Sequence, residues 1–161
     1  MDLYTISQAW KYLRWLPRFL LKKMFTKQKL AGMVYFDVQP RYTSARVDLG
    51  ESASAVIYFQ LINMSPFDIE LDRADIEFFC AGVKLNIKHI IKLNLLSGEK
   101  KVLHVCTDIS DAKRKQIAEF SKESSSSICI SSEFNCVLHN FSQHHHSLEG
   151  VNVDFSNTNS N

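Results

Sequence analysis

From Val34 onward the apolar and polar residues alternate in short runs of period two, whereas residues 3–30 place their apolar positions at steps of three and four. The first pattern predicts strands and the second a helix. Leu3, Ile6, Trp10, Leu13, Pro17, Leu20 and Met24 mark the helical repeat. At 100° per residue, Lys11, Arg14, Arg18 and Lys22 fall within about 80° of one another. Tyr12, Leu13, Trp15, Leu16, Phe19, Leu20 and Met24 sweep the other side. Pro17 lacks a backbone donor, so it kinks this helix or starts a second one. Ala31-Gly32 is the expected hinge into the body.

The strand-like runs follow in close succession. Val34–Val38, Ala45–Leu49 and Ala53–Ile62 come first, the last apolar on both faces apart from Gln60, as a central strand would be. Phe67–Leu71 and Ala74–Cys80 are two further extended runs, and Ala81-Gly82 is the expected hairpin turn into Val83–Leu93. Ser97-Gly98-Glu99 turns the chain into Lys101–Thr107. Asp108 or Ser110 is placed to cap a helix over Asp111–Phe120, with Ile117 and Phe120 facing inward. Ser121–Ser127 reads as a polar loop, Ile128–Leu138 and Leu148–Phe155 as closing strands, and Asn157–Asn161 as a polar tail. About eight short strands with one helix predict an all-β antiparallel β-sandwich, with a closed barrel as the alternative. The expected organisation is a basic amphipathic helix over residues 1–33, a sandwich over 34–155 and a tail over 156–161.

Charge adds to this picture. Among 161 residues the formal net charge is only +2, yet residues 1–33 carry seven Lys or Arg against the single acid Asp2, a net of +6. The remainder is net acidic at −4. A basic arm on an acidic body points to an anionic partner for the arm. Charges at Lys11, Arg14, Arg18, Lys22 and Lys23 interrupt every apolar run, so neither a secretory signal nor a transmembrane span is expected. The simplest expectation is a cytoplasmic protein, peripheral to a membrane. Cys80, Cys106, Cys129 and Cys136 are far apart with no C-x-x-C pair, which argues against zinc ribbons and redox motifs; they read as small buried hydrophobes with free thiols.

The body resembles the LEA-2 domain, also called the water-stress and hypersensitive-response (WHy) domain, of late-embryogenesis-abundant proteins. The likeness spans about residues 34–155. It is carried by Ala55–Asn63, a strand ending in Asn, followed by Ser65–Leu71, Ile76–Phe79 and the Gly82 turn. Ser97-Gly98-Glu99, Val102–Val105 and Thr107–Asp111 continue it. Family members show Asn-Pro at the first turn, where Met64 and Ser65 intervene here. The resemblance implies an immunoglobulin-like sandwich without a catalytic site, an association with the desiccation and stress response, and a membrane anchor ahead of the domain. No functional residues carry over.

The chemistry expected of the chain is therefore interfacial. Trp10, Lys11, Leu13, Arg14, Trp15, Arg18, Phe19, Leu20, Lys22 and Lys23 form the candidate membrane-binding set, with rings and aliphatics entering the headgroup layer and cations meeting anionic lipid. Three alternatives stand beside it: a helix simply packed on the sandwich, a target for a groove-bearing partner protein, and a nucleic-acid-associated arm. The body's negative charge speaks against nucleic acid. A lipid-handling protein with a cavity in the sandwich is a further alternative. Nothing marks an enzyme: the chain lacks G-x-S-x-G, a phosphate loop, H-E-x-x-H and G-x-G-x-x-G. No cofactor, metal or small-molecule substrate is indicated. His144-His145-His146 requires a flexible loop before all three reach one ion, and reads as a polar loop. His89 and His104 read as core or edge residues. Asp68, Glu70, Asp72 and Asp75 lack the glycine-containing loop of a calcium site and read as a solvated edge.

Overall fold

Two mainly antiparallel layers, each built around one long central strand, make up the body of the protein in a computed structural model. The structure describes residues 16–38, 44–121, 126–147 and 151–157. In the first sheet β3 (Ser54–Asn63) pairs along its length with β7 (Lys100–Asp108). Its other edge is shared by two short strands, β1 (Val34–Asp37) on the C-terminal half and β2 (Ala45–Asp48) on the N-terminal half. Beyond β2 lies β10 (Val153–Ser156), which runs parallel to it.

The second sheet repeats this plan. Its centre, β4 (Ile69–Cys80), pairs with β8 (Ser127–Cys136) on one side. On the other side it meets β5 (Val83–His89) and the short β6 (Leu93–Leu95) in succession. β9 (Asn140–Ser147) adds to β8. Asp72 lies at a register shift between Leu71 and Arg73, so the two extended runs expected around it are one bulged strand. Ala81 and Gly82 both adopt positive φ, 50° and 72°, as a two-residue hairpin turn demands.

The inward alternation in each layer fills the space between them. Phe36, Phe59, Phe78 and Phe134 are fully buried, and Phe36 touches Phe59 and Phe134 at 5.8 and 6.2 Å between ring centroids. This is the expected sandwich, and the sheets share no paired strand among the described residues, so the barrel alternative falls. The body helix, Asp111–Phe120, is where the sequence pattern puts it. Ser110 occupies the cap position without a side-chain cap bond. Ile117 is fully buried, whereas Phe120 faces solvent, contrary to expectation.

Three further expectations are corrected. Residues 18–31 form two short helices, α1 (Arg18–Met24) and α2 (Lys27–Ala31), not one. The chain breaks at Phe25 and restarts at Thr26, whose Oγ1 accepts the Lys29 amide. Pro17 is the N-cap residue of α1, and residues 1–15 before it lie outside the described residues. The histidine run is strand rather than loop, because β9 pairs with β8 through Ile130↔His145 and Ser131↔His144. Cross-strand pairing overrode a composition that looks loop-like. Of the four cysteines, all unbonded, only Cys80 is buried; Cys129 and Cys136 are half-buried and Cys106 is exposed.

Candidate functional site

Strand register brings one set of termini to one end of the sandwich. Val34 pairs with Asn63, Ile62 with Lys100, Ile69 with both Leu95 and Cys136, and Asn135 with Asn140. That end therefore carries the β3–β4 turn, the β6–β7 turn, the β8–β9 turn, and the α1–α2 segment that leads into β1.

Asn63 holds two of these turns. Its side-chain amide donates to the carbonyls of Phe67 (2.9 Å), Leu95 (3.3 Å) and Leu96 (3.0 Å), and its Oδ1 accepts from the Ser65 amide and hydroxyl. Its backbone accepts from Gly98 and donates to Glu99. Both Asn63 and Ser65 are fully buried. A buried amide with every polar atom engaged fixes loop shape in a way that a solvated turn does not. In the sequence this residue stood out only as the Asn ending a strand.

α1 is seated on this end by a narrow face. Leu21 and Phe25, four residues apart, are buried, and Phe25 meets Phe67 edge-on at 5.2 Å. Leu30 of α2 is fully buried as well. Sequence reasoning passed over Leu21 and Phe25; the available signal was a surplus, since residues 19–21 and 24–25 hold more apolar side chains than one stripe needs. With Leu21 and Phe25 turned inward, Arg18, Phe19, Leu20, Lys22 and Lys23 all remain exposed, Phe19 by 71%. Trp10, Lys11, Leu13, Arg14 and Trp15 lie outside the described residues.

The apolar exposure is concentrated. Eleven large hydrophobic residues are exposed among the described ones, and six of them (Phe19, Leu20, Met24, Met64, Leu96 and Val137) belong to this end. Scattered single residues of this kind need no explanation, but a gathering on adjoining turns does. Leu96 and Val137 flank one shallow cleft, and Val137 with Leu21 and Phe67 borders a second of about 350 Å³ beneath α1. Both clefts open at the end of the sandwich rather than between its sheets.

The charges around this end are unequal in their freedom. Lys22 and Lys23 have no acidic partner among the described residues. The Arg18 guanidinium makes one long contact, 3.5 Å, to the Val137 carbonyl. The nearby carboxylates are engaged: Asp68 accepts the Ser97 amide at 2.9 Å and Glu99 the Leu96 amide at 2.7 Å. Glu70 accepts from Asn135 and pairs with Lys92, and these two contacts, Asn135 first, hold its pKa below the ordinary carboxylate value. Asp72 shares Lys92, so the acidic run is a set of turn and edge contacts.

The histidines do not converge. Strand pleating turns His144 and His146 outward and His145 inward against Phe36 and Tyr35. His144 Nδ1 lies 3.1 Å from the Ser131 hydroxyl on an exposed face. Among the described residues no three His, Cys, Asp or Glu side chains are placed to hold a metal ion. Burial, then His146, lowers the His145 pKa, with Asp37 opposing. His89 ends β5 half-buried, and His104 is exposed on β7. Among the described residues no helix is long and apolar enough to cross a membrane.

No family model matches the chain, and no curated protein matches it. Solved structures do. The structural-genomics target SoR45 is 7% identical, over 71% of this chain and 84% of that one, with a TM-score of 0.51. A putative ApaA protein from Bordetella pertussis is 6% identical over 71% and 86% of the two chains, with a TM-score of 0.44. At such identity the likeness to SoR45 speaks for the fold alone.

Proposed function

We propose that this protein is a non-enzymatic module that rests one end of its β-sandwich on an anionic membrane surface, peripheral to the cytoplasmic leaflet. The observation that carries this reading is the concentration of exposed apolar side chains on α1 and the adjoining turns, beside Arg18, Lys22 and Lys23. Cations that reach anionic headgroups contribute about 1 kcal/mol each, and the rings and aliphatics between them gain by leaving water. Glu70 and Glu99 of the same end are paired with Lys92 and Lys101, which limits their repulsion of the surface. The LEA-2 resemblance belongs to this reading, and supplies its biological direction: an anchored sandwich acting in the stress response.

Vesicle sedimentation with the full chain tests the proposal. Removing residues 1–33 would also strip Leu21, Phe25 and Leu30 from the core, so charge reversal is the cleaner variant. Arg18→Glu, Lys22→Glu and Lys23→Glu together should cost at least about 3 kcal/mol, roughly a hundredfold in affinity for phosphatidylserine-containing vesicles. Binding should weaken as salt rises. Equal pelleting of the triple variant and the parent chain would remove this segment from the membrane.

A further inference from the structure

The cleft beneath α1 has walls of a kind that the membrane reading does not by itself require. Its floor is apolar, from Leu21, Phe67 and Leu138, and its rim carries one guanidinium, Arg18, and one carboxylate, Asp68. Among the described residues these two charges form no salt bridge with each other. Among the described residues Arg18 makes its long contact to Val137, and Asp68 accepts one amide through Oδ1. The cleft, about 350 Å³, is at the lower end of the range for small-ligand sites, which combine apolar walls with a few polar groups that set orientation.

We propose that this cleft takes the headgroup of one zwitterionic phospholipid of the ethanolamine type. The phosphate meets Arg18, whose planar fork matches phosphate oxygens, and the ammonium meets Asp68. The glycerol end of the lipid lies over the apolar floor. Charge complementarity selects this occupant: a purely anionic headgroup such as phosphatidylglycerol would satisfy Arg18 but offer Asp68 only a neutral hydroxyl in place of an ammonium. The inference rests on the membrane reading, because the cleft opens on the surface that faces the bilayer there.

The test uses the full chain and dihexanoyl lipids below their micelle threshold, followed by amide shifts of Phe67 and Leu138 in NMR spectra. Phosphatidylethanolamine should saturate the shifts and bind about threefold or more tightly than phosphatidylglycerol, the scale of one exposed ion pair. Arg18→Gln should weaken both lipids. Asp68→Asn keeps an oxygen for the Ser97 amide and should erase the preference. Free phosphoethanolamine should bind far more weakly than the lipid; equal binding would make the ligand a soluble phosphate and overturn the lipid assignment. Absence of saturation, phosphatidylglycerol binding as tightly, or a preference that survives Asp68→Asn would each overturn the inference. If these fail while the chain still binds vesicles, only the headgroup site falls. A chain that ignores vesicles altogether brings down the membrane reading and the site with it.

Discussion

Replacing Asn63 with alanine would leave the carbonyls of Phe67, Leu95 and Leu96 without their shared donor in a buried turn. Unpaired buried groups cost about 1–3 kcal/mol each, and the turns relax part of that. Asn63→Ala should therefore lose about 3 kcal/mol or more of unfolding free energy by urea titration; a loss below about 1 kcal/mol would show that water replaces the amide. His145 gives a second prediction. Burial lowers its folded pKa below the ordinary value of 6.5, so the unfolded chain binds the proton more readily. Its contribution is complete above that ordinary value and is lost as pH falls through the lower, folded pKa. Between pH 7.5 and 5, His145→Phe should lose less stability than the parent protein; identical pH profiles would contradict the assignment. The role of His145 was hidden in the sequence because three adjacent histidines look alike until pleating separates them.

At the scale of elements, α1 hangs on two side chains. Phe25→Ala removes the edge-on contact to Phe67 and should free α1 without melting the sandwich. Hydrogen exchange of the Leu21 amide, which donates to the Pro17 carbonyl, should then accelerate. Amides of β3 and β7 should hold their protection. Faster exchange throughout β3 would mean that α1 is integral to the core. Strand positions were legible where side chains declare them: Ala53–Ile62 reads as central, and β3 is flanked on both edges. The body helix was legible from its composition. β9 was not, because Asn140, Ser142, Gln143 and the histidines have little strand preference of their own; pairing with β8 supplies it. The division of β1 from β2 along one edge of β3, and the parallel pairing of β10, are long-range outcomes that local pattern does not encode. The exposure of Arg18, Phe19, Leu20, Lys22 and Lys23 was legible from the periodicity. The arrival of the turns holding Leu96 and Val137 at the same end was not, since only register brings them there.

At the scale of the whole molecule the protein is a polarised particle. One end gathers six of the eleven large hydrophobic residues exposed among the described ones, beside Arg18, Lys22 and Lys23. Elsewhere Ile90, Ile91, Tyr35 and Val102 are exposed too, so apolar exposure by itself does not decide which surface faces lipid. Orientation is the quantity at issue, and paramagnetic attenuation reads it most directly. The full chain would be bound to bicelles containing phosphatidylserine, with a nitroxide-bearing lipid added, and amide signals followed by NMR. Strong attenuation is expected at Phe19, Leu96 and Val137, and little at Gly82 and Ser110 of the opposite end. Attenuation centred on Gly82 or Ser110, or spread evenly over both ends, would contradict the membrane reading.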